Sequence, residues 1–138
     1  MKVYNLKYKI WFIFSTLALI SSIILSFVPL SILCTPLEGC NSVQTSIYSK
    51  TLGVSNSYYG IAIFLFMSVI SFLYIKKPNK HIKFLIDLGI FIGALIALYF
   101  LYLQQFVIHA YCKYCLIIDI GMIIAFIIFS IPEKKKNE

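Results

Sequence analysis

Four long apolar stretches, separated and flanked by short lysine clusters, restrict this chain to a membrane more firmly than any other feature does. They run from about Ile10 to Leu33, Tyr58 to Ile75, Phe84 to Ile108 and Tyr114 to Ile131. A helix rises about 1.5 Å per residue, so about 20 apolar residues cross a hydrocarbon core of roughly 30 Å. Hydrocarbon leaves an open backbone no hydrogen-bond partner, so these stretches are expected to be helices. The expected fold is all-α: residues 1–138 as one integral membrane four-helix bundle, with an outer loop over 34–57 that carries a short amphipathic helix.

Composition agrees. The chain is 61% hydrophobic and 12% charged, against about 25% charged for an ordinary soluble domain. Its net charge of +7 would suit a nucleic-acid binder. There is no arginine, however, and so none of the bidentate readers of bases and phosphates. The lysines instead report topology. Ten of them lie in the N-terminal head, the 76–83 turn and the C-terminal tail, and only Lys50 and Lys113 lie in the other two connections. Positive charge collects on the cytoplasmic side, so a cell-membrane protein with both termini cytoplasmic is expected. A rival reading of the first stretch, a secretory or lipoprotein signal ending at Cys34, meets a large residue, Leu33, where cleavage requires a small one. Pro29 is expected to kink the outer end of this span.

The same topology gathers the cysteines. Connections one and three must share a side of the membrane. Cys34 and Cys40 lie in the first, Cys112 and Cys115 in the third, so all four meet on the outer, oxidising face. The run Tyr111-Cys112-Lys113-Tyr114-Cys115 puts a C-x-x-C pair at the mouth of the last span, where a helix N-terminus favours the thiolate of the first cysteine. Cys112 is expected to be the more exposed of the pair and Cys115 the deeper. Three readings stay open on these residues: two structural staples, a cysteine-ligated metal site or transporter, and a redox relay. The C-x5-C spacing of the loop is wider than structural zinc sites usually use. A relay accounts for more, because a loop disulfide is open to a soluble partner while a C-x-x-C at a helix mouth is open to a lipid-soluble acceptor.

Within the loop, Val43, Ile47, Tyr48 and Leu52 recur at helical spacing, with Asn41 or Ser42 available to cap the start and Gly53 the end. This predicts an amphipathic helix along the membrane surface.

With its spans, its loop cysteine pair and its C-x-x-C opening the last helix, the chain resembles the vitamin K epoxide reductase family over nearly its whole length, in the short microbial form. Cys40 followed six positions later by Ser46, and Asn56-Ser57-Tyr58-Tyr59-Gly60 at the start of the second span, resemble two further motifs of that family. The resemblance implies a disulfide-forming oxidoreductase that reoxidises a thioredoxin-like (DsbA-like) exported protein and reduces a membrane quinone, ubiquinone or menaquinone. It implies Cys34 and Cys40 as shuttle and Cys112 and Cys115 as the quinone-facing pair. Ser46 and Asn56 would form or order the quinone site, with Asn56 donating to a quinone carbonyl. With no thioredoxin-like domain behind the last helix, the partner is expected to be a separate protein. Some members place a tyrosine four residues after the C-x-x-C; here that place holds Asp119. The functional analogue DsbB carries its C-x-x-C in the first loop, the reverse of the order here.

Asp119 lies four residues after Cys115 and seven after Cys112, which predicts one shared helix face. It is either the proton donor to the quinone or a buried hydrogen-bonding group. His109 could stabilise a thiolate, although a lone histidine at an interface more often faces headgroups. Asp87 suits the start of its helix, and the tyrosines near the outer ends suit an aromatic belt.

Overall fold

The computed structural model describes residues 2–33 and 39–132. In chain order it comprises α1 (Lys2–Phe27), α2 (Leu30–Leu33), α3 (Gly39–Thr45), a 3-10 turn (Ile47–Ser49), strands β1 (Lys50–Thr51) and β2 (Val54–Ser55), α4 (Asn56–Lys76), α5 (Lys80–Tyr102), a π-helical turn (Leu103–Ile108) and α6 (Lys113–Ser130). Four of these segments are long and apolar enough to cross a membrane: Leu6–Phe27, Asn56–Lys76, Lys80–Ile108 and Lys113–Ser130. The protein is a multi-pass, all-α membrane bundle.

Local chemistry sets the breaks. The chain leaves α1 just before Pro29, whose carbonyl then accepts from the backbone N–H groups of Ile32 and Leu33 at 3.0 and 3.3 Å. Pro29 thus separates two helices where a kink in one was expected. Lys77-Pro78-Asn79 turns the chain between α4 and α5, and the Asn79 side chain caps α5 by accepting from the His81 N–H at 2.9 Å.

Small residues bring α1 and α4 together. Ser15, Ala18 and Ser22 are buried along one stripe of α1. Ser68 Oγ donates to Ser15 Oγ at 3.2 Å, and a Cβ on Gly60 would stand 2.8 Å from Ser22 Oγ. Between helices in lipid, such close approach and hydrogen bonding replace the hydrophobic drive that water supplies elsewhere. Large apolar side chains such as Ile13, Leu17, Phe66, Leu95 and Ile124 point outward and are exposed, as a lipid-facing surface requires.

At the end carrying both described termini, Tyr8 and Trp11 of α1 pack against Tyr74 of α4 and Phe129 of α6. The Tyr8 ring centroid lies 4.3 Å from that of Tyr74 and 5.2 Å from that of Phe129. Lys7 Nζ donates to the Ile131 carbonyl at 3.3 Å, tying the start of α1 to the end of α6.

The loop departs from the expected amphipathic helix. α3 begins at Gly39 and stops at Thr45; Ile47 and Tyr48 lie in a 3-10 turn, and Leu52 sits at the tip of a β-hairpin. Lys50 pairs with Ser55 and Thr51 with Val54, so Leu52 and Gly53 form the two-residue turn. Their φ angles of 53° and 80° are both left-handed, as a tight hairpin of this length demands. Gly53 therefore makes a hairpin possible where it was expected to end a helix. Asn56 competes with any helical continuation: its amide donates to the Tyr48 carbonyl at 2.8 Å and its oxygen accepts from Thr51 Oγ1 at 2.7 Å. Ile47 and Leu52 are left exposed, while Val43 turns inward.

Candidate active site

The site is assembled at the end of the bundle opposite the aromatic cluster, where α3, the π-helical turn and the start of α6 meet. α6 begins at Lys113, and Cys112 is its N-cap in extended conformation (φ −97°, ψ 115°). The Leu116 N–H donates to the Cys112 carbonyl at 2.9 Å, closing the first turn. Cys112 is therefore presented by the residue before the helix, and only Cys115 and Asp119, one turn apart, share the helical face expected for all three.

The order of exposure is the reverse of the expected one. The Cys112 side chain has no exposed surface, while Cys115 is half-buried. The reason is the loop: Leu33 and Val43 pack against Cys112 together with Tyr114 and Cys115. α3 presses so close that a Cβ on Gly39 would stand 2.5 Å from the Tyr111 carbonyl oxygen and 2.6 Å from its nitrogen. Only glycine fits at that crossing.

Two glutamines, overlooked in the sequence, serve this pair. Gln44 of α3 points its Nε2 at Cys115 Sγ, 3.3 Å away, and at Cys112 Sγ, 3.9 Å away. Gln104 in the π-helical turn is almost wholly buried, at 2% exposure. Its Oε1 accepts from the Cys112 N–H at 3.0 Å, and its Nε2 lies 3.4 Å from Asp119 Oδ2. A signal for Gln104 existed: it falls seven residues after buried Ala97, two helical turns along the stripe of Ile86, Ile90 and Ala94. Gln44 follows Cys40 by four, one turn of α3.

Electrostatics favour Cys112 as the reactive sulfur. As a thiol it titrates well below its ordinary value of 9.0, at about 6. The largest cause is the hydrogen bond from the Cys115 thiol, supported by the backbone N–H of Cys115, the Gln44 amide and the backbone N–H of Tyr114, with burial opposing them. Donors aimed at a sulfur stabilise its thiolate.

The other residues singled out in the sequence are placed as follows. Cys40 stands on the first turn of α3, whereas its side chain and all of Cys34 lie outside the described residues. Ser46 Oγ donates to the Val43 carbonyl at 2.8 Å, bracing the end of α3. Asn56 commits its oxygen and one of its N–H groups to the hairpin. Asp119, 7% exposed, joins the site through Gln104. His109 is exposed at the end of the π-helical turn with a left-handed φ of 55°, and among the described contacts none links it to a sulfur. Tyr58, Tyr59, Tyr99, Tyr102, Phe106 and Tyr111 are exposed, as belt residues are, whereas Tyr114 packs on Cys112. Asp87 pairs with Lys83 at 2.8 Å, far from the thiols along α5. Among the described residues, no three His, Cys, Asp or Glu side chains gather as metal ligands.

Leu33, Val43 and Tyr114 thus cover Cys112 with apolar surface, and the Gln44 amide donates to the Cys115 sulfur beside them. Residues 9–130 match the family model described as "Vitamin K epoxide reductase family". No curated protein and no solved structure matches the chain.

Proposed function

Because the chain belongs to the vitamin K epoxide reductase family, whose members are quinone-linked disulfide oxidoreductases, we propose that it oxidises an exported thioredoxin-like protein through two cysteine pairs and delivers the electrons to a membrane quinone. The carrying observation is the difference in exposure within the C-x-x-C: Cys112 is sealed under the loop while Cys115 is half-buried. A soluble partner cannot touch Cys112, but the loop that covers it can. Cys34 and Cys40 therefore exchange with the partner, and a loop thiolate then attacks Cys112. The close crossing of Gly39 on Tyr111 brings the backbone next to Cys40 against the backbone next to Cys112, which favours Cys40 as the attacking residue.

Each exchange makes one S–S bond and breaks another, and needs a thiolate as attacker and a good leaving thiol. Attack on Cys112 expels Cys115, and when the second loop cysteine closes the loop disulfide again it expels Cys112, which leaves well with its lowered pKa. When bound, the quinone supplies the final two-electron acceptor. Gln44 is placed to donate to a carbonyl oxygen beside Cys115, and Asp119 to give up a proton. Ser46 and Asn56 act by holding the loop in place. Lys2, Lys7, Lys9 and the lysines of the 76–83 turn lie at the opposite end, consistent with thiols on the outer face.

The test is quinone reduction by the purified protein, supplied with a reduced thioredoxin-like donor. Wild type turns over and Cys115→Ser does not; equal rates in the two would end this reading.

A further inference from the structure

The Gln104 carboxamide stands between two buried groups whose chemistry fixes its orientation. The Cys112 N–H can only donate, so the atom 3.0 Å from it must be the amide oxygen. That leaves the NH2 group facing Asp119 Oδ2 at 3.4 Å. The amide is thus a one-way bridge: it accepts from the backbone of the cysteine pair and donates to the carboxyl group. Gln104, Cys112 and Asp119 are all buried, and a buried amide with both ends engaged is costly to rearrange. The backbone is irregular at this point. Residues 103–108 form a π-helical turn that ends in the left-handed His109, and such turns cost helix regularity and concentrate at functional sites.

Resting on the oxidoreductase reading above, we propose that Gln104 is a positioning residue that couples Asp119 to the redox state of the Cys112–Cys115 pair, holding one carboxyl oxygen so that the other receives a proton released at Cys115. The balance closes. Cys112 has already given its proton to water as a thiolate, so forming the Cys112–Cys115 disulfide makes one S–S bond and releases two electrons and the proton on Cys115. A quinone acceptor would take both electrons, with that proton and one from water, to become the hydroquinone. Asp119 passes on one of those protons and returns to its starting state. Cys115 and Asp119 are one turn apart on α6, within reach of a direct or single-water transfer. Gln104 touches neither sulfur among the described contacts; it acts through Asp119 and through the Cys112 backbone N–H.

Redox-difference infrared spectroscopy of the purified protein, poised with chemical thiol reductant and oxidant and with no quinone added, tests the coupling. Wild type should show a carboxyl band that changes between dithiol and disulfide and that Asp119→Asn removes. Gln104→Leu should keep the band but lose its redox dependence, with turnover falling about tenfold and KM for quinone within twofold. Gln104→Glu retains the acceptor and donates only when protonated, so its turnover should recover relative to wild type as pH falls. It also serves as the isosteric variant if Gln104→Leu does not fold. A wild-type band insensitive to redox state would overturn the inference. So would an unchanged redox-dependent Asp119 band in Gln104→Leu or, at a pH where the new carboxyl is ionised, in Gln104→Glu. If quinone reduction fails while the coupled band is present, the oxidoreductase reading falls and the coupling stands.

Discussion

The end of the bundle that holds the start of α1 and the end of α6 is filled with rings; the end that holds the thiols is filled with amides. At the first, Tyr8, Trp11, Tyr74 and Phe129 interlock in regular α-helix. At the second, Gln44, Gln104, Asn56 and Asp119 make directed contacts, and the backbone carries nearly every irregularity described: a π-helical turn, an extended N-cap, a 3-10 turn, a hairpin and both left-handed non-glycine residues, Leu52 and His109. Apolar contact is undirected and tolerates small shifts, so it can anchor a fold without defining a reaction geometry. Hydrogen bonds buried in low dielectric fix position and are costly to leave unmade. One end holds the helices together and the other places sulfur atoms, and substitutions at the two ends should fail in different ways.

The largest effect is expected at the thiols. Cys112 is held at about 6 first of all by the Cys115 thiol. In the reduced protein, its thiolate absorbance should therefore titrate near that value. Cys115→Ala should move the midpoint up toward the ordinary 9.0. The sign follows from the lowered pKa: the thiolate persists above about pH 6 and is lost as pH falls through it. A midpoint that does not move would show that the backbone donors and the Gln44 amide, not the pair, set the acidity. Trp11→Ala is the matching cut at the other end, removing a fully buried indole, 2% exposed. It should cost about 3–5 kcal/mol of stability in detergent unfolding while leaving the Cys112 titration in place. If the titration shifts as well, the two ends are not independent.

A third, smaller effect probes the seam between loop and C-x-x-C. Gly39→Ala puts a methyl group against the Tyr111 backbone, which must push α3 away. Exchange between the loop and Cys112 should slow by about ten- to a hundredfold, equivalent to roughly 1.4–2.7 kcal/mol in barrier. The readout is trapping of a Cys40–Cys112 mixed disulfide in a Cys115→Ser background. Gly53→Ala, at a left-handed position with open space around it, strains only the hairpin and should leave trapping much closer to normal. Equal losses in the two would mean that general loop order, not the close crossing, governs the exchange.

The contrast between the ends also separates what the sequence revealed from what it concealed. Four membrane helices were legible because lipid forces regular backbone and apolar surface, and both leave long, simple patterns. The C-x-x-C and the family likeness were legible because thiol chemistry needs particular residues at fixed spacing. The covering of Cys112 was not, since it depends on Val43 and Leu33 folding back over a residue more than 65 positions away. The loop misled because helical spacing of Val43, Ile47 and Leu52 also fits a turn followed by a hairpin. There the Asn56 amide decides between them by binding the Tyr48 carbonyl. Gln44 and Gln104 carry no charge and match no motif; only their position beside the sulfurs and the carboxylate gives them meaning.

The smallest expected effect lies between the two ends. Ser68 Oγ donates to Ser15 Oγ at 3.2 Å across α1 and α4, with both side chains buried. In a membrane, such a bond averages only about 0.6 kcal/mol, because helices that separate in lipid find other partners for their hydroxyls. Ser68→Ala should therefore change the folding equilibrium about threefold. The small methyl group should preserve the close approach that Ser15, Ala18 and Gly60 allow. Ser68→Leu also removes the hydroxyl but forces the helices apart, and overpacking of this kind costs about 1–3 kcal/mol. If the alanine variant proves the more damaging, the hydroxyl pair and not the small-residue seam joins the two ends of the protein, and directed bonds matter in the middle of the bundle as much as they do around Cys112.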